Sequence, residues 1–501
     1  MNSVKKLKLN TLASFINQIL TIVSGLILPR LILSYFGSDT NGLVSSINQF
    51  LSIITFLDLG VGSVVQASLY KPLAEKDEGQ VNLVLSSARN FFNNIARILS
   101  VYVFVLIIIF PTLIDSSLDF FSTGFLILAL SLNLLGQFYF GIVNQLLLSA
   151  DQRDYVQLFS QSATVVLNLL LSIVLIMLGC SIQWVKLGSG LVYIMRPLFL
   201  AYYVKRHYNV KMDVPVTEEP IKQKWNAMAQ HIAYTVTNST DVVVVSVFST
   251  FENVSVYAIY NMVISALRML IDAANQGLKS FFGTLIAREE STLLNEYFNR
   301  IEWLIHMVAV FLFGMTQVLI LSFVMIYTSG VHDANYYVPA FATVFILSQL
   351  MYSIRVPYHT MIMAAGHFKQ TQTSSLIEAG LNVMISIILV QSIGLLGVAI
   401  GTLIAIVYRM FYLVWYLSKN ILKRPVNMFV KQLIVDSLLF SSFVFLVHFI
   451  PLNQSNFFWW AISAVIYGMI FVVGLVIINY IFYHDNMHFV FGYFSRLLKR
   501  R

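Results

Sequence analysis

The sequence predicts an all-α, polytopic membrane protein with about fourteen transmembrane helices. Of its 501 residues, 58% are hydrophobic and only 11% are charged, whereas an average soluble protein is about 25% charged. The mean hydropathy is +0.78. These values are typical of a chain whose apolar segments cross the hydrocarbon core of a bilayer, which is about 30 Å thick. We therefore expect a multi-pass membrane protein.

The first predicted span follows Lys5, Lys6 and Lys8, an arrangement that resembles a signal peptide. Its apolar run continues for about twenty-five residues, which is too long for the core of a cleaved signal, so we keep it as a helix. The fourteen predicted spans are 11–36, 42–69, 90–114, 121–148, 157–180, 182–204, 226–249, 253–285, 302–328, 336–364, 372–392, 394–417, 431–451 and 456–482. The dividing points inside 157–204 and 372–417 stay open.

The basic residues predict that both termini are cytoplasmic. With the N-terminus inside, nearly every lysine and arginine between spans falls in an inner segment, and Lys186, at the mouth of the sixth span, is the exception. This asymmetry is the positive-inside rule. The net charge of +8 then mostly serves to set the orientation of the chain in the membrane. Anionic lipid of the inner leaflet is a sufficient partner for it, and we expect no nucleic acid to bind.

Short loops and missing motifs argue against an enzyme. The predicted outer loops, such as Gly37–Asn41 and Pro451–Ser455, leave no room for an extracellular domain. The sequence has no Gly-x-x-x-x-Gly-Lys-Ser/Thr motif, so we expect no ATP hydrolysis by this chain. Cys180 is the single cysteine, which excludes an internal disulfide framework and a cysteine-based metal cluster. No arrangement of residues indicates catalysis, and we predict no catalytic residue, metal or cofactor.

The chain contains an internal repeat of six spans. A shift of 213 residues pairs Asn48 with Asn261, Ala74 with Ala287, Gly188 with Gly401, Arg196 with Arg409 and Tyr203 with Tyr416. Six crossings return the chain to the same side, so the two lobes are parallel, as in transporters that work by alternating access. The predicted domains are an N-lobe at 1–207, a cytoplasmic linker at 208–224, a C-lobe at 225–418, and a C-terminal helix pair with a basic tail at 419–501.

The segment Asn253–Leu285 carries one polar stripe on an otherwise apolar helix. At about 100° per residue, its polar members lie within roughly 40° of one line. They are Asn261, Arg268, Asp272, Asn275 and Lys279. An arginine at mid-bilayer costs about 2.5–3.5 kcal/mol unless it faces protein or water. The stripe therefore predicts an interior surface for a polar, anionic ligand. Lys279 could instead snorkel to the inner leaflet, and Asp272 could pair with Arg268.

Further arginines fall within predicted spans. Arg355 lies close to the mid-plane with Tyr352 and His359 on its face, and it has the same two interpretations as Arg268, a lumen role or structural pairing. Arg30, Arg196 and Arg409 lie nearer to span ends, where a long side chain can snorkel, so a lumen role and a snorkelling role stay open for them. A guanidinium group suits a diphosphate because its donors match phosphate oxygens bidentately.

Polar residues of three spans form a candidate site for a coupling cation. Asp241 lies on the seventh span, Glu378 and Asn382 lie one turn apart on the eleventh, and Thr402 lies on the twelfth. Their oxygens could hold Na⁺, or one carboxylate could carry a proton. The alternative is that Asp241 or Glu378 neutralises one of the arginines.

The chain resembles the multidrug/oligosaccharidyl-lipid/polysaccharide flippase superfamily, and within it the Wzx-type polysaccharide transporters. The resemblance is carried by the two six-helix lobes, by Leu-Ser-Tyr-Phe-Gly-Ser-Asp-Thr-Asn-Gly-Leu at Leu33–Leu43, and by the charged loop Lys71–Glu78. The extra C-terminal pair is similar to that of lipid II flippases, as is the distribution of the candidate cation residues.

The resemblance implies a protein of a bacterial inner membrane that moves a polyprenyl-diphosphate-linked oligosaccharide from the inner to the outer leaflet through a hydrophilic lumen. The arginines would make this lumen cationic, and a polysaccharide polymerase and a chain-length regulator are candidate partners. A cation-coupled multidrug exporter is the first alternative. A membrane enzyme or a non-transporting component of a polysaccharide assembly complex is the second.

Overall fold

The computed structural model describes residues 3–54, 61–114, 116, 118–215, 239–275, 278–288 and 290–488, without some side chains inside these ranges, among them that of Lys279. Sixteen α-helices account for most of the described chain. In order along the chain they are α1 (Ser3–Ile53), α2 (Val61–Glu75), α3 (Glu78–Leu113), α4 (Phe120–Gly136), α5 (Ile142–Ala150), α6 (Asp154–Met177), α7 (Ile182–His207), α8 (Ser239–Phe248), α9 (Phe251–Asn275), α10 (Leu278–Ala287), α11 (Ser291–Tyr327), α12 (Pro339–Ala364), α13 (Phe368–Ile393), α14 (Leu395–Asn420), α15 (Asn427–His448) and α16 (Phe457–Phe482).

Twelve helices among the described residues are long and apolar enough to cross a membrane. The prediction of fourteen is therefore confirmed only as a multi-pass helical protein. The first two predicted spans share α1, which continues to Ile53 before the six residues 55–60 that lie outside the described chain. The seventh predicted span, 226–249, is described only from Ser239 onward, where α8 lies, and residues 226–238 lie outside the described chain. A π-helical turn at Gln137–Gly141 joins α4 and α5 into one span.

A break at Gly37 divides α1 into two helical segments. Gly37 has a φ of 81°, in the left-handed region that favours glycine. The amide and the hydroxyl of Ser38 donate hydrogen bonds of 2.6 and 2.5 Å to the carboxylate of Asp333, which thus caps the second segment. One turn later, a Cβ on Gly42 would overlap the backbone carbonyl of Phe251. The Gly-Ser-Asp-x-x-Gly sequence thus encodes a helix break followed by a close approach of two backbones.

The described chain divides into two compact units. Unit 1 contains Met1–Val256 and Gly330–Ala334, and unit 2 contains Tyr257–Ser329 and Asn335–Arg501, so α8 falls in unit 1 and the C-terminal pair in unit 2. The lobe boundaries drawn from the repeat stay a prediction.

The same polar motif recurs inside each unit. In unit 1, Ser172 on α6 lies 3.4 Å from the amide oxygen of Asn168 and 3.3 Å from the hydroxyl of Ser189 on α7. In unit 2, the hydroxyls of Ser386 on α13 and Thr402 on α14 each donate to the amide oxygen of Asn382 at 3.2 Å. Asn168 and Ser172 thus correspond to Asn382 and Ser386 at an offset of 214 residues. The offset of 213 relates Ser189 to Thr402, as it relates the pairs found in the sequence.

One carboxylate ties the N-terminus of unit 1 to two later loops. Asp151 accepts from Lys6 at 2.9 Å, from Arg153 at 2.7 Å and from the hydroxyl of Tyr208 at 2.6 Å. Burial raises the pKa of the Tyr208 phenol well above its usual range, and the Asp151 carboxylate raises it further. The phenol therefore donates to Asp151 throughout the physiological pH range. The contact with Asp151 thus holds Tyr208, the first residue of the predicted linker, in place.

The described part of that linker lies along α3. The side chain of Asn209 donates to Glu78 at 3.0 Å, the amide of Lys211 donates to Asn82 at 2.8 Å, and Arg89 pairs with Asp213 at 2.6 Å. Residues 208–215 are thus held along the first turns of α3 by hydrogen bonds and one ion pair. The rest of the predicted linker, 216–224, lies outside the described residues.

Candidate functional site

Two arginines of unit 2 converge on one tyrosine ring. The guanidinium carbon of Arg268 on α9 lies 4.0 Å from the centroid of Tyr352, and that of Arg355 on α12 lies 4.6 Å from the same centroid. Tyr352 precedes Arg355 by three residues, so one helical turn places both on the same face. The π-face of a tyrosine attracts cations, and here it holds two guanidinium groups close to each other. The structure thus brings together the two mid-membrane arginines that the sequence singled out.

A single carboxylate neutralises two arginines beside this cluster. Glu378 on α13 forms an ion pair with Arg355, while its second oxygen lies 3.7 Å from Nε of Arg409 on α14. Arg409 also donates to the backbone oxygen of Thr371 at 2.8 Å and to the hydroxyl of Ser374. Its side chain is 3% exposed, so it lies inside the packing of α13 and α14 and does not snorkel. The alternative in which Glu378 neutralises arginines is the one seen here.

The cluster carries more positive than negative groups. Arg268, Arg355 and Arg409 are faced by Glu378 and by Asp272, on which the charge of Arg268 acts from one turn away. Among the residues that the structure describes, three guanidinium groups thus face two carboxylates. An additional anion would balance the charge, and it would meet donors already oriented by the Tyr352 ring.

Two other members of the stripe form hydrogen bonds. Asn261 accepts from Ser265 at 3.2 Å, and Asn275 donates to the hydroxyl of Thr360 on α12 at 2.6 Å. The stripe was predicted on one continuous helix; α9 is described as far as Asn275, α10 is described from Leu278 with Lys279 as its second residue, and residues 276–277 lie outside the described chain. The position of the Lys279 side chain lies outside the described part of the structure.

The remaining predicted lumen residues are His359, Arg30 and Arg196. His359, one turn after Arg355, is exposed, and α12 continues as a helix through Pro357. Arg30 is half-buried on α1 before the Gly37 break in unit 1. Arg196, also in unit 1, lines a cavity beside α6.

The predicted cation residues are engaged with other partners. Asn382 accepts hydrogen bonds from Thr402 and from Ser386, as described above, and Glu378 is shared by two arginines. Asp241 is 5% exposed on α8 in unit 1, while the other three belong to unit 2. A coupling ion at Glu378 would have to displace an arginine, and the cation site stays a prediction. Among the described residues, no group of three or more His, Cys, Asp or Glu side chains could hold a metal ion.

A second buried charged cluster of unit 2 was not predicted. Arg424, before α15, forms a bidentate ion pair with Glu302 on α11, with distances of 2.6 and 2.9 Å, and Tyr358 donates to the same carboxylate. One turn along α11, Nδ1 of His306 lies 2.6 Å from Asp436 on α15. These pairs anchor the C-terminal helices to α11. In the sequence, Glu302 and His306 are four residues apart and therefore on one helix face, and this spacing could have indicated the cluster.

The fold is that of known membrane transporters. A lipid II flippase MurJ in an inward closed conformation superposes with a TM-score of 0.71 at 17% sequence identity, over 95% of this chain and 99% of that chain. An inward-facing multidrug resistance MATE transporter of the MOP superfamily gives a TM-score of 0.64 at 14% identity, over 84% of this chain and 99% of that chain. A mutant of the Vibrio cholerae MATE transporter VcmN gives a TM-score of 0.59 at 13% identity, over 85% of this chain and 98% of that chain. The sequence itself matches no family model and no curated protein.

Proposed function

We propose that this chain is a flippase of the MOP superfamily that moves a polyprenyl-diphosphate-linked oligosaccharide, a polysaccharide repeat unit, from the inner to the outer leaflet of a bacterial inner membrane. The observation that carries the proposal is the pair of guanidinium groups of Arg268 and Arg355 on the ring of Tyr352. A diphosphate offers several charged oxygens within a few ångströms, so one group can engage both arginines at once.

In this proposal, Arg355 exchanges its ion pair with Glu378 for an ion pair with the substrate. An incoming phosphate competes with Glu378 for Arg355, and Glu378 keeps Arg409 as its counter-ion when Arg355 leaves. Neither carboxylate nor arginine is then left buried and unpaired, which would cost about 3–5 kcal/mol. The substrate can thus bind and depart without exposing an uncompensated charge.

Na⁺ or H⁺ drives the cycle in this proposal. A proton would bind to one of the two candidate carboxylates, Asp241 or Glu378, whereas Na⁺ would require the oxygens of Asn382 and Thr402 as well. Membrane lipids surround the protein, and a polymerase and a chain-length regulator would consume the transported unit. No part of the proposed cycle needs a catalytic residue.

The charge of the cluster favours this substrate over cationic drugs. A multidrug exporter of the same fold would need an acidic or aromatic cavity to attract cations. Here three arginines face two carboxylates, so a cation would be repelled where an anion is attracted. We therefore rank drug efflux second.

The experiment is complementation of a strain that lacks the chromosomal copy, with surface polysaccharide and lipid-linked repeat units as the readouts. Arg268→Ala and Arg355→Ala should abolish polymer and let repeat units accumulate at the inner leaflet, at normal protein levels. Arg288→Ala is the matched control, because Arg288 is 67% exposed outside the spans. Unchanged polymer in the double variant with Arg268→Ala and Arg355→Ala would refute the assignment, and drug-efflux assays would then be the next step.

A further inference from the structure

The two arginines related by the internal repeat have different partners. In unit 2, Arg409 is compensated by Glu378 and donates to Ser374 on the neighbouring helix α13. The offset of 214 residues, which relates Asn168 and Ser172 to Asn382 and Ser386, assigns the equivalent positions on α6. Ser160 corresponds to Ser374, and Thr164 stands where the second unit has Glu378. The serine is thus retained, but the counter-ion is replaced by a neutral side chain.

Arg196 consequently has no counter-ion in the described structure. Its Nε is buried, and the side chain makes no hydrogen bond or ion pair with any residue that the structure describes. Burial of a guanidinium nitrogen without an anion beside it is costly, which is why buried charges in proteins are almost always paired. The equivalent position in unit 2 indicates what is missing, namely one carboxylate or phosphate oxygen beside the guanidinium group.

A cavity of about 460 Å³ opens beside Arg196. It lies between α6 and α7 and extends along α6 from Tyr155, in the first turn, to Leu167, twelve residues further on, which corresponds to a length of about 18 Å. Phe159, Ala163 and Leu167 form its apolar wall and are exposed in the structure. Ser160, Thr164 and Arg196 are its polar positions. An elongated apolar cavity with one positive group matches a molecule with an apolar chain and an anionic end.

We propose that this cavity binds an anionic phospholipid of the inner leaflet, with a phosphate oxygen on Arg196 and an acyl chain along Phe159, Ala163 and Leu167. In the orientation that the basic residues predict, Tyr155 lies at the cytoplasmic end of the cavity and Leu167 lies deeper in the bilayer. A lipid of the inner leaflet has the same orientation, with its headgroup at the cytoplasmic end and its acyl chain deeper in the bilayer. The lipid supplies to unit 1 the negative charge that Glu378 supplies to unit 2. The inference does not depend on the transported substrate.

The first test is native mass spectrometry of the purified full-length protein with added phosphatidylglycerol or phosphatidylcholine. The wild-type protein should retain phosphatidylglycerol in preference to phosphatidylcholine. Arg196→Gln should reduce the retained phosphatidylglycerol roughly tenfold, because a hydrogen bond to a charged group is lost. Arg206→Gln is the control on the same helix, because Arg206 is exposed in its last turn, and it should leave retention unchanged.

The decisive variant is Thr164→Glu, which installs in unit 1 the carboxylate that the repeat has in unit 2. It should displace phosphatidylglycerol as Arg196→Gln does, yet it should raise the thermal unfolding temperature in lipid-free detergent, because Arg196 gains an internal counter-ion. Retention of phosphatidylglycerol by Thr164→Glu, or no preference for the anionic lipid in the wild type, would overturn the proposal. Retention of a polyprenyl diphosphate but not of phosphatidylglycerol would also overturn it and would assign the cavity to the transported substrate.

Discussion

At the residue scale, the ring of Tyr352 is what brings two positive groups together. Arg268 and Arg355 would repel each other in an apolar surrounding, and the ring face offsets this repulsion by about 0.5–2 kcal/mol for each cation. Tyr352→Ala should therefore weaken binding of a polyprenyl diphosphate to the purified protein by roughly tenfold or more, since about 1.4 kcal/mol is a factor of ten.

Tyr352→Phe is the matched control for this prediction. It keeps the ring and removes only the hydroxyl, so binding should stay within about twofold of the wild type. A loss of affinity in Tyr352→Phe equal to that in Tyr352→Ala would show that the hydroxyl, and not the ring face, holds the arginines.

Glu378 allows structural pairing to be separated from substrate binding. Glu378→Gln should destabilise the protein by about 3–5 kcal/mol, because Arg409 keeps its charge inside the packing of α13 and α14. The double variant Glu378→Gln with Arg409→Gln removes that buried charge and should recover most of the loss in thermal unfolding, while Arg355 stays free to bind the diphosphate. Additive destabilisation by the two substitutions would contradict the pairing.

The sequence could predict both cluster arginines but not how they are held. Their mid-membrane positions and the helical period were sufficient for Arg268 and Arg355, since an arginine in lipid is costly wherever the helix packs. That Glu378 is shared by Arg355 and Arg409 depends on the packing of three helices, which residue spacing along one helix does not determine. For the same reason, Arg196 and Arg409 look equivalent in the sequence, although in the described part of the chain only Arg409 has a carboxylate beside it.

At the element scale, the break in α1 depends on two glycines with different roles. Gly37 provides the backbone conformation, and Gly42 provides the space for the carbonyl of Phe251. Gly42→Ala should lower the thermal unfolding temperature, because the added methyl group overlaps the backbone of another helix. The experiment is thermal unfolding in detergent, followed by the fluorescence of the tryptophans.

Gly25→Ala is the control within the same helix. A Cβ at Gly25 meets no atom of the described structure within 4 Å, so the substitution should stabilise α1 by about 0.5–1 kcal/mol through the higher helix propensity of alanine. An equal loss of stability in both variants would mean that the close approach at Gly42 does not form.

The C-terminal helices are held by charges that lie out of contact with water. Glu302→Gln leaves Arg424 buried without a counter-ion and should destabilise the protein by about 3–5 kcal/mol. Glu296→Gln on the same helix removes a pair with Arg300 that is half-exposed, and it should change stability by less than about 1 kcal/mol. Similar unfolding temperatures for the two variants would show that the pair of Glu302 and Arg424 does not anchor the C-terminal helices.

At the scale of the whole molecule, hydropathy and the repeat predicted the class of fold and much of its order. The boundary between the fifth and sixth spans, and that between the eleventh and twelfth, stayed open because apolar runs contain no charge to mark a turn. The structure places these turns between Met177 and Ile182 and at Gly394. The first predicted boundary, at 37–41, is a break inside α1. A single glycine with a positive φ changes the direction of the helix, and helical hydrogen bonding resumes after it.

The measurement that tests the central claim most directly is translocation in proteoliposomes that contain only the purified protein and a fluorescent polyprenyl-diphosphate oligosaccharide. Chemical quenching of the outer leaflet reports how fast the labelled lipid crosses. The wild-type protein should accelerate crossing, and the Arg268→Ala, Arg355→Ala double variant should be no faster than empty vesicles, while Arg288→Ala should match the wild type. Equal rates for the double variant and the wild type would contradict a cationic diphosphate site on Tyr352, and no acceleration by the wild type under any ion gradient would contradict the flippase itself.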